Sequence, residues 1–254
     1  MHGAGYSQGA LSEDALLGGA VTIVQPREGF RASTDAVLLA AACRAEPGAR
    51  VLDVGCGVGA AALCLAYRRP GLALEGLDIQ EPLIELSRRN AARNGLGGWL
   101  AHCADIRDAP LFVRSTSYDH VLTNPPYYAA ESGPASPSTG RDVAHRETAA
   151  LGDWLDFCLR RLKPRGALTV IQRIERLPEM LAALEGRAGA IRALPLSPRR
   201  GAAAKRVVVT AVKESRTPFT LVAPLELHRG VEGEDAAPFT PEAQAILRDG
   251  APLV

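Results

Sequence analysis

The order of strand and helix patterns predicts an α/β protein with a mostly parallel sheet and helices on both of its faces. Short apolar stretches alternate with helical patterns, which is typical of βαβ units. Several of the apolar stretches end in an acid or an amide, and open α/β sheets bind ligands at the carboxyl ends of their strands. We expect strands at 51–54, 72–78, 99–104, 118–123, 167–171, 191–196 and 207–212, and helices at 60–68, 81–94, 149–162 and 177–184.

The first of these strands runs into a glycine-rich loop, in which Gly55, Gly57 and Gly59 precede a helical pattern. Glycine has no Cβ atom, so a ligand can lie against bare backbone at the N-terminus of the helix. With Ala60 in the last place, the loop also fits the dinucleotide pattern G-x-G-x-x-G/A, which keeps an NAD site open. Asp53 argues against NAD, because a carboxylate at this point would repel a diphosphate and attract a cationic amino-acid end.

Two more acids follow predicted strands. Asp78 ends the second strand, where a carboxylate can accept both hydroxyl groups of a ribose. Capping of the next helix is an equally common use of such an acid. Because Asp53, Asp78, Asp105 and Asn124 would fall at the ends of four successive strands, they predict one ligand site at the carboxyl edge of the sheet.

The tetrapeptide Asn124-Pro125-Pro126-Tyr127 is the most informative motif, because it follows the β-prone stretch 118–123. Two prolines restrict the backbone and hold Asn124 extended, so that its amide points at one place. A rigid carboxamide, a free proline carbonyl and an aromatic ring together suit the holding of a flat amino group in line with an electrophile. A stiff surface loop is the alternative explanation for consecutive prolines taken alone.

Taken in order, the glycine loop, Asp78, Asp105 and the Asn-Pro-Pro-Tyr motif resemble those of class I S-adenosylmethionine-dependent methyltransferases. The segments 31–40, 141–147 and 225–247 further resemble the bacterial tRNA1(Val) adenine-N6 methyltransferase family. The resemblance implies an α/β, Rossmann-like seven-stranded mixed sheet, with the last strand antiparallel and helices on both faces. The implied organisation is an N-terminal extension with a helix ahead of the core (1–45), a cofactor-binding catalytic domain (46–215) and a C-terminal extension packed on that domain (216–254).

The implied reaction is N6-methylation of an adenine in RNA, with S-adenosylmethionine as cofactor and tRNA as the expected partner; for this family the acceptor is an adenine of the tRNA1(Val) anticodon loop. Asn124 and Pro125 would accept the two N–H groups of the acceptor, and Tyr127, helped by Tyr128, would stack on the base. A general base is not required if the proton leaves after in-line transfer. The residues assigned to catalysis are Asn124, Pro125, Pro126 and Tyr127, and those assigned to the cofactor are Thr34, Asp35, Asp53, Gly55, Gly57, Gly59, Asp78, Ile79, Asp105 and Asn124.

A basic segment suggests where RNA would bind. The net charge of +1 predicts no general affinity for nucleic acid, but 187–216 contains eight bases and one acid, a local balance of +7. Such cations could contact RNA phosphates, although solvated charges on a hairpin are the alternative. The predicted RNA-binding residues are Tyr127, Tyr128, Arg141, Arg146, Arg199, Arg200, Lys205 and Arg206.

Composition adds broader expectations. A chain of 254 residues with 47% hydrophobic and 22% charged residues can bury one substantial core. Five scattered cysteines without metal-ligand spacing predict reduced, mostly buried side chains and no metal site. Neither a leader sequence nor a membrane-spanning apolar run is visible, so we expect a cytoplasmic protein without membrane contact. The oligomeric state has no signal in the sequence.

Other function classes stay open at this point. A methyltransferase for protein glutamine, or for amino groups of ribosomal RNA or DNA, would share the motif and the cofactor. An NAD-linked oxidoreductase would need a hydride-handling residue in a substrate domain, which the sequence does not suggest. A catalytically silent RNA-binding protein would need no intact Asn-Pro-Pro-Tyr motif.

Overall fold

A nine-stranded sheet forms the centre of the protein, as seen in a computed structural model that describes residues 6, 8–29, 31–126, 149–230 and 238–253. The strands are β1 (Leu11–Leu16), β2 (Val21–Pro26), β3 (Arg50–Val54), β4 (Ala73–Asp78), β5 (Leu100–Cys103), β6 (Tyr118–Thr123), β7 (Leu162–Arg173), β8 (Ala188–Ser197), β9 (Arg206–Lys213), β10 (Thr220–Leu221) and β11 (Leu225–Glu226). The helices are α1 (Thr34–Ala42), α2 (Ala60–Arg68), α3 (Glu81–Arg93), α4 (Leu111–Ser115), α5 (Leu151–Arg161), α6 (Leu177–Leu184) and α7 (Pro241–Arg248).

Seven strands of the sheet have the predicted arrangement. Their order is β5–β4–β3–β6–β7–β9–β8, and all run parallel except β9, which lies antiparallel between β7 and β8. The prediction of a seven-stranded mixed sheet with an antiparallel last strand is confirmed. The short strands β10 and β11 add parallel to β8 and extend the sheet at its outer edge, which the sequence did not indicate.

Helices cover both faces of this sheet. One apolar cluster contains α1, α2, α3 and α7, and a second contains α5 and α6 on the other face. β3 lies between them: Val51 packs in the first cluster, while Leu52 and Val54 pack in the second, and none of the three is exposed. Buried apolar side chains on both faces are typical of a parallel strand covered on both sides.

α1 is apolar around its whole circumference because it is covered on all sides. Leu38, Leu39 and Ala40 are completely buried, and the helix contacts α2, α7 and strand β7. The backbone N–H of Leu253 donates to the Ala41 carbonyl at 3.0 Å. The C-terminal segment therefore packs against α1.

A β-hairpin, β1–β2, precedes α1 and was not predicted; its strands pair antiparallel from Leu11↔Pro26 to Leu16↔Val21. On its outer side β2 pairs with two side chains of α3. The Asn90 amide accepts from the Val24 N–H at 2.8 Å and donates to the Val24 carbonyl at 3.0 Å. The Asn94 amide does the same with Thr22, at 3.0 and 2.7 Å. One turn of helix thus takes the place of a neighbouring strand.

Two findings concern the wider predictions. In the part of the chain that the structure describes, no helix has the length and apolar character needed to cross a membrane. Four of the five cysteines are buried, as predicted, and Cys103 is exposed.

Candidate active site at the carboxyl edge of the sheet

The four predicted polar residues lie along one edge of the sheet. β6, β3, β4 and β5 are consecutive neighbours and run parallel. Asn124 follows β6, Asp53 is the next-to-last residue of β3, Asp78 ends β4, and Asp105 comes shortly after β5. Along this edge of the sheet their order is therefore Asn124, Asp53, Asp78, Asp105.

The glycine loop turns the chain from β3 into α2. Gly55, Gly57 and Gly59 have φ values of 74°, 52° and 82°, in the left-handed region that favours glycine. At Gly55 a Cβ atom would also lie 2.9 Å from the ring of Trp154, so this position excludes a side chain on two grounds. The Gly55 N–H donates to the Leu77 carbonyl at 2.7 Å, which ties the loop to the end of β4.

Asp78 is held by two backbone N–H groups, one from the glycine loop and one from the segment after β4. Its Oδ2 accepts from the Gly57 N–H and its Oδ1 from the Gln80 N–H, each at 2.9 Å. Burial raises the pKa of Asp78, and the backbone donors at Gln80, Gly57 and Ile79 oppose that rise. The carboxylate is therefore fixed in direction, and its remaining lone pairs suit hydroxyl groups.

Asp53 is more strongly perturbed. It is 3% exposed, and its Oδ2 has no hydrogen-bond partner among the described residues. Burial, with the charge of Asp78 as a second cause, raises the pKa of Asp53 from 3.8 to about 7. A buried carboxyl group in this state would gain most from a cationic ligand.

A cleft is lined by Asp53, the glycine loop and Asn124. It lies between the N-terminal end of α1, the glycine loop and Asn124. Its empty volume, including the solvent space at its mouth, is about 500 Å³. The Asn124 Oδ1 atom is buried and, like the Asp53 Oδ2, has no partner in the described structure. Unpaired buried acceptors are costly, so the cleft is built for a ligand that supplies donors.

Three side chains that the sequence did not single out hold the Asn-Pro-Pro segment. The Thr123 hydroxyl donates to the Val54 carbonyl at 2.7 Å and accepts from the Trp154 Nε1 at 2.6 Å. The Gln172 amide donates to the Pro125 carbonyl at 3.2 Å. These contacts join β6, β3, α5 and β7, and no local pattern could indicate them, because each partner is at least 31 residues away.

The residues predicted on α1 are placed differently from the expectation. Ser33 and Ala36 line the cleft, whereas Thr34 does not. Asp35 is buried and forms an ion pair with Arg206, which had been assigned to RNA. The ion pair gives each side chain a partner inside the protein, and their predicted roles at the cofactor and the RNA stay predictions.

Ile79 and Asp105 lie farther along the same edge, outside the cleft. Ile79 is 48% exposed, and the Asp105 carboxylate is bound by Arg107 at 2.7 Å. That guanidinium lowers the pKa of Asp105. Within the described residues, no group of three or more His, Cys, Asp or Glu side chains could hold a metal ion.

Strand direction divides the basic segment 187–216 between the two edges of the sheet. The turn from β8 to β9 lies at the site edge. It contains Arg200 and Lys205, which are exposed, and Arg199, which is half-buried and follows the end of β8. Arg187, Lys213 and Arg216 lie at the opposite edge, where β8 begins and β9 ends. Arg173, at the end of β7, also lies at the site edge and was not predicted.

Part of the predicted site lies outside the described residues. This holds for Tyr127, Tyr128, Arg141 and Arg146, and for the segment 129–147 that contains the last two. Their roles stay predictions.

Strand order and site together define a class of protein. An antiparallel strand between β7 and β8, a glycine loop at the start of α2 and an acid at the end of β4 form the architecture of a class I methyltransferase. The glycine pattern left both NAD and S-adenosylmethionine open, and this architecture favours S-adenosylmethionine.

Comparison with known proteins agrees and is more specific. Residues 32–186 match the model of the methyltransferase small domain family. A tRNA1(Val) (adenine(37)-N6)-methyltransferase of Porphyromonas gingivalis is 30% identical over 206 residues, covering 75% of this chain and 79% of the relative. One of the same name from Parabacteroides distasonis is 27% identical and covers 90% and 93%. The crystal structure of a predicted O-methyltransferase, Atu636 from Agrobacterium tumefaciens, superposes with a TM-score of 0.69 at 25% identity, over 86% of this chain and 97% of that one.

The chain belongs to the methyltransferase small domain family. It is an enzyme that uses S-adenosylmethionine, and the NAD interpretation is set aside.

Proposed function

We propose that this enzyme transfers the methyl group of S-adenosylmethionine to the N6 amino group of an adenine in tRNA. The observation that carries the proposal is the position of Asn124, which lines the same cleft as the glycine loop and whose buried Oδ1 has no hydrogen-bond partner among the described residues. An acceptor group that enters this cleft meets the cofactor-binding loop and the Asn-Pro-Pro segment together.

The type of acceptor follows from the number of hydrogen-bond acceptors at that point. Asn124 Oδ1 and the Pro125 carbonyl oxygen are adjacent in the chain, and together they suit a group with two N–H donors. An NH2 group has two, whereas a hydroxyl group has one. We therefore favour an amino acceptor, although the name of the Agrobacterium protein refers to oxygen.

The protein's contribution is mainly one of placement. When bound, the cofactor supplies an electrophilic methyl group on sulfur. Asn124 and Pro125 hold the amino nitrogen in direction, and their oxygens favour the positive charge that develops on it during attack. Placement of this kind lowers barriers by up to about 7–11 kcal/mol in the best intramolecular cases.

Asp53, Gly57 and Asp78 would hold the cofactor. The buried Asp53 suits the ammonium group of the methionine end, and Asp78 suits the ribose hydroxyls next to the backbone of Gly57. A catalytic base is not required, since the proton of the methylated nitrogen can pass to water after transfer.

RNA as the substrate is supported by the names of the relatives and by the charge of the site edge. Relatives that cover most of the chain are named for adenine 37 of tRNA1(Val). We propose the same acceptor here, with Arg200 and Lys205 meeting the RNA backbone beside the cleft.

The test is methyl transfer from labelled S-adenosylmethionine to tRNA that lacks the modification, followed by nucleoside analysis. We expect N6-methyladenosine with the wild type and at least about a hundredfold lower rate with Asn124→Ala, which removes one of the two acceptors.

Two controls define the outcome. A tRNA1(Val) in which adenine 37 is replaced by guanine should stay unlabelled. Label in ribosomal RNA or protein, with none in tRNA, would overturn the proposed substrate and leave the methyltransferase chemistry in place.

A further inference from the structure

Gln172 is a polar residue in an apolar strand. It is completely buried, and it follows the buried Val170 and Ile171 on β7. An amide in such a place costs free energy unless each of its groups is hydrogen-bonded. Its Oε1 accepts from the backbone N–H of Arg173 at 2.9 Å, and its Nε2 donates to the Pro125 carbonyl at 3.2 Å.

The reason for this contact lies in the way β6 ends. β6 and β7 pair in register up to Thr123↔Val170, and β7 then continues to Arg173. Extended by two residues past the end of β6, the same register brings Pro125 opposite Gln172, and their hydrogen bond agrees with it. Proline has no N–H, so the strand ladder cannot continue through Pro125 and Pro126. The Gln172 side chain replaces the missing strand partner and gives the Pro125 carbonyl its only hydrogen-bond donor among the described residues.

We propose that Gln172 is a positioning residue for methyl transfer, acting through the Pro125 carbonyl. A carbonyl oxygen has two lone pairs. Gln172 occupies one from inside the sheet, and this fixes the direction of the other, which meets the second N–H of the acceptor. The inference rests on the proposed function, because it assigns Gln172 to the same amino-group site as Asn124.

Two substitutions separate positioning from folding. Gln172→Met keeps the length of the side chain and removes the donor, so kcat should fall by about tenfold while KM for tRNA and affinity for S-adenosylhomocysteine change little. Gln172→Glu keeps the shape. Burial raises the pKa of a glutamate, and its protonated form donates a hydrogen bond whereas its ionised form cannot. The kcat of Gln172→Glu relative to wild type should therefore rise as the pH falls from about 8 to about 6.

Thr169→Val is the matched control, since Thr169 is a buried polar residue on the same strand, 3% exposed. It should change the melting temperature without changing kcat or its pH dependence. Steady-state kinetics at each pH, beside melting curves, would measure all three variants and the wild type.

Three results would count against the inference. Wild-type kcat in Gln172→Met would overturn it. A purely structural role would also overturn it. In that case the loss of kcat would follow the loss of folded protein, and the kcat of Gln172→Glu relative to wild type would not depend on pH. A wild type that methylates no RNA would overturn the proposed function and, with it, this inference; an active wild type restricts the failure to Gln172.

Discussion

Asp53 is an acid in a place where burial works against its charge. Its pKa of about 7 means that the free protein keeps a proton on Asp53 that the unfolded chain releases near pH 3.8. The folded state binds more protons across that interval, so the stability from Asp53 declines as the pH rises from about 4 to about 7. A cationic ligand next to Asp53 would favour the ionised carboxylate over the protonated form. A carboxyl group whose pKa is raised by burial beside a cleft is typical of binding sites.

Cofactor affinity should therefore depend on pH through Asp53. Binding of an ammonium group favours the ionised carboxylate, so a proton is released and affinity for S-adenosylhomocysteine should rise about tenfold from pH 6 to pH 8. Isothermal titration in buffers of different ionisation enthalpy would measure both the affinity and the released proton.

Asp53→Asn should bind more weakly at pH 8 and show no rise. A rise of the same size in the variant would assign the dependence to another group, such as Asp78, whose pKa burial also raises.

At the scale of elements, α3 connects the N-terminal hairpin to the glycine loop. Asn90 is completely buried and, besides both backbone groups of Val24, its amide donates to the Val58 carbonyl at 3.0 Å. The hairpin in turn holds the segment before α1, because the buried Gln25 accepts from the Ala32 N–H at 2.7 Å. One helix side chain thus fixes the position of two walls of the cleft.

Asn90→Ala should lower the free energy of unfolding by about 2–4 kcal/mol, because it leaves three buried backbone groups of Val24 and Val58 unpaired. Asn94→Ala should cost about 1 kcal/mol, since Asn94 is only half-buried and water can replace its amide. Urea denaturation measures both values.

The melting shift caused by S-adenosylhomocysteine should also shrink in Asn90→Ala and stay near wild type in Asn94→Ala. Equal losses of stability in the two variants would contradict the role given to Asn90.

The hairpin shows why some elements could not be predicted. β1 contains Ser12, Glu13 and Asp14, whose residue types have a low or neutral preference for the strand conformation. Its conformation depends on pairing with β2, and β2 in turn depends on two asparagines about 70 residues away. By contrast, α3 was predicted at 81–94 and is observed at Glu81–Arg93, because its apolar face has helical spacing and its first turn contains a proline.

At the scale of the whole molecule, exposed cations lie at both edges of the sheet, and only those of one edge lie on the side of the cleft. Arg200 and Lys205 are exposed at the site edge, while Arg165 and Arg216 are exposed at the opposite edge. The chain's net charge of +1 hides this division. In ordinary salt, the interaction between two exposed charges is largely screened beyond about 10 Å. We therefore expect only the cations beside the cleft to act on RNA that is bound at the cleft.

Two double variants test this division with equal changes in charge. Arg200→Gln with Lys205→Gln should weaken tRNA binding and reduce the slope of log affinity against log salt by about 1.5. Arg165→Gln with Arg216→Gln, at the far edge, should leave both quantities near wild type. Filter binding over a series of salt concentrations measures the slope.

Cofactor affinity should not change in either double variant. Equal losses of tRNA affinity in the two would mean that RNA binds without regard to the site edge, and would contradict the placement.

The class of chemistry came from the resemblance of the motifs to a known family. The sequence by itself determined seven strands of the sheet, the glycine loop, and the positions of Asp53, Asp78, Asp105 and Asn124 at the ends of four strands. These features depend on local spacing, on the conformational limits of glycine and proline, and on the rule that parallel strands end at one edge. Only the tertiary structure decided that Gln172 contacts Pro125, that Arg206 pairs with Asp35, and that the basic segment is divided between two edges. The physical reason is distance along the chain: Gln172 and Pro125 are 47 residues apart and Arg206 and Asp35 are 171 apart, so folding alone brings them together.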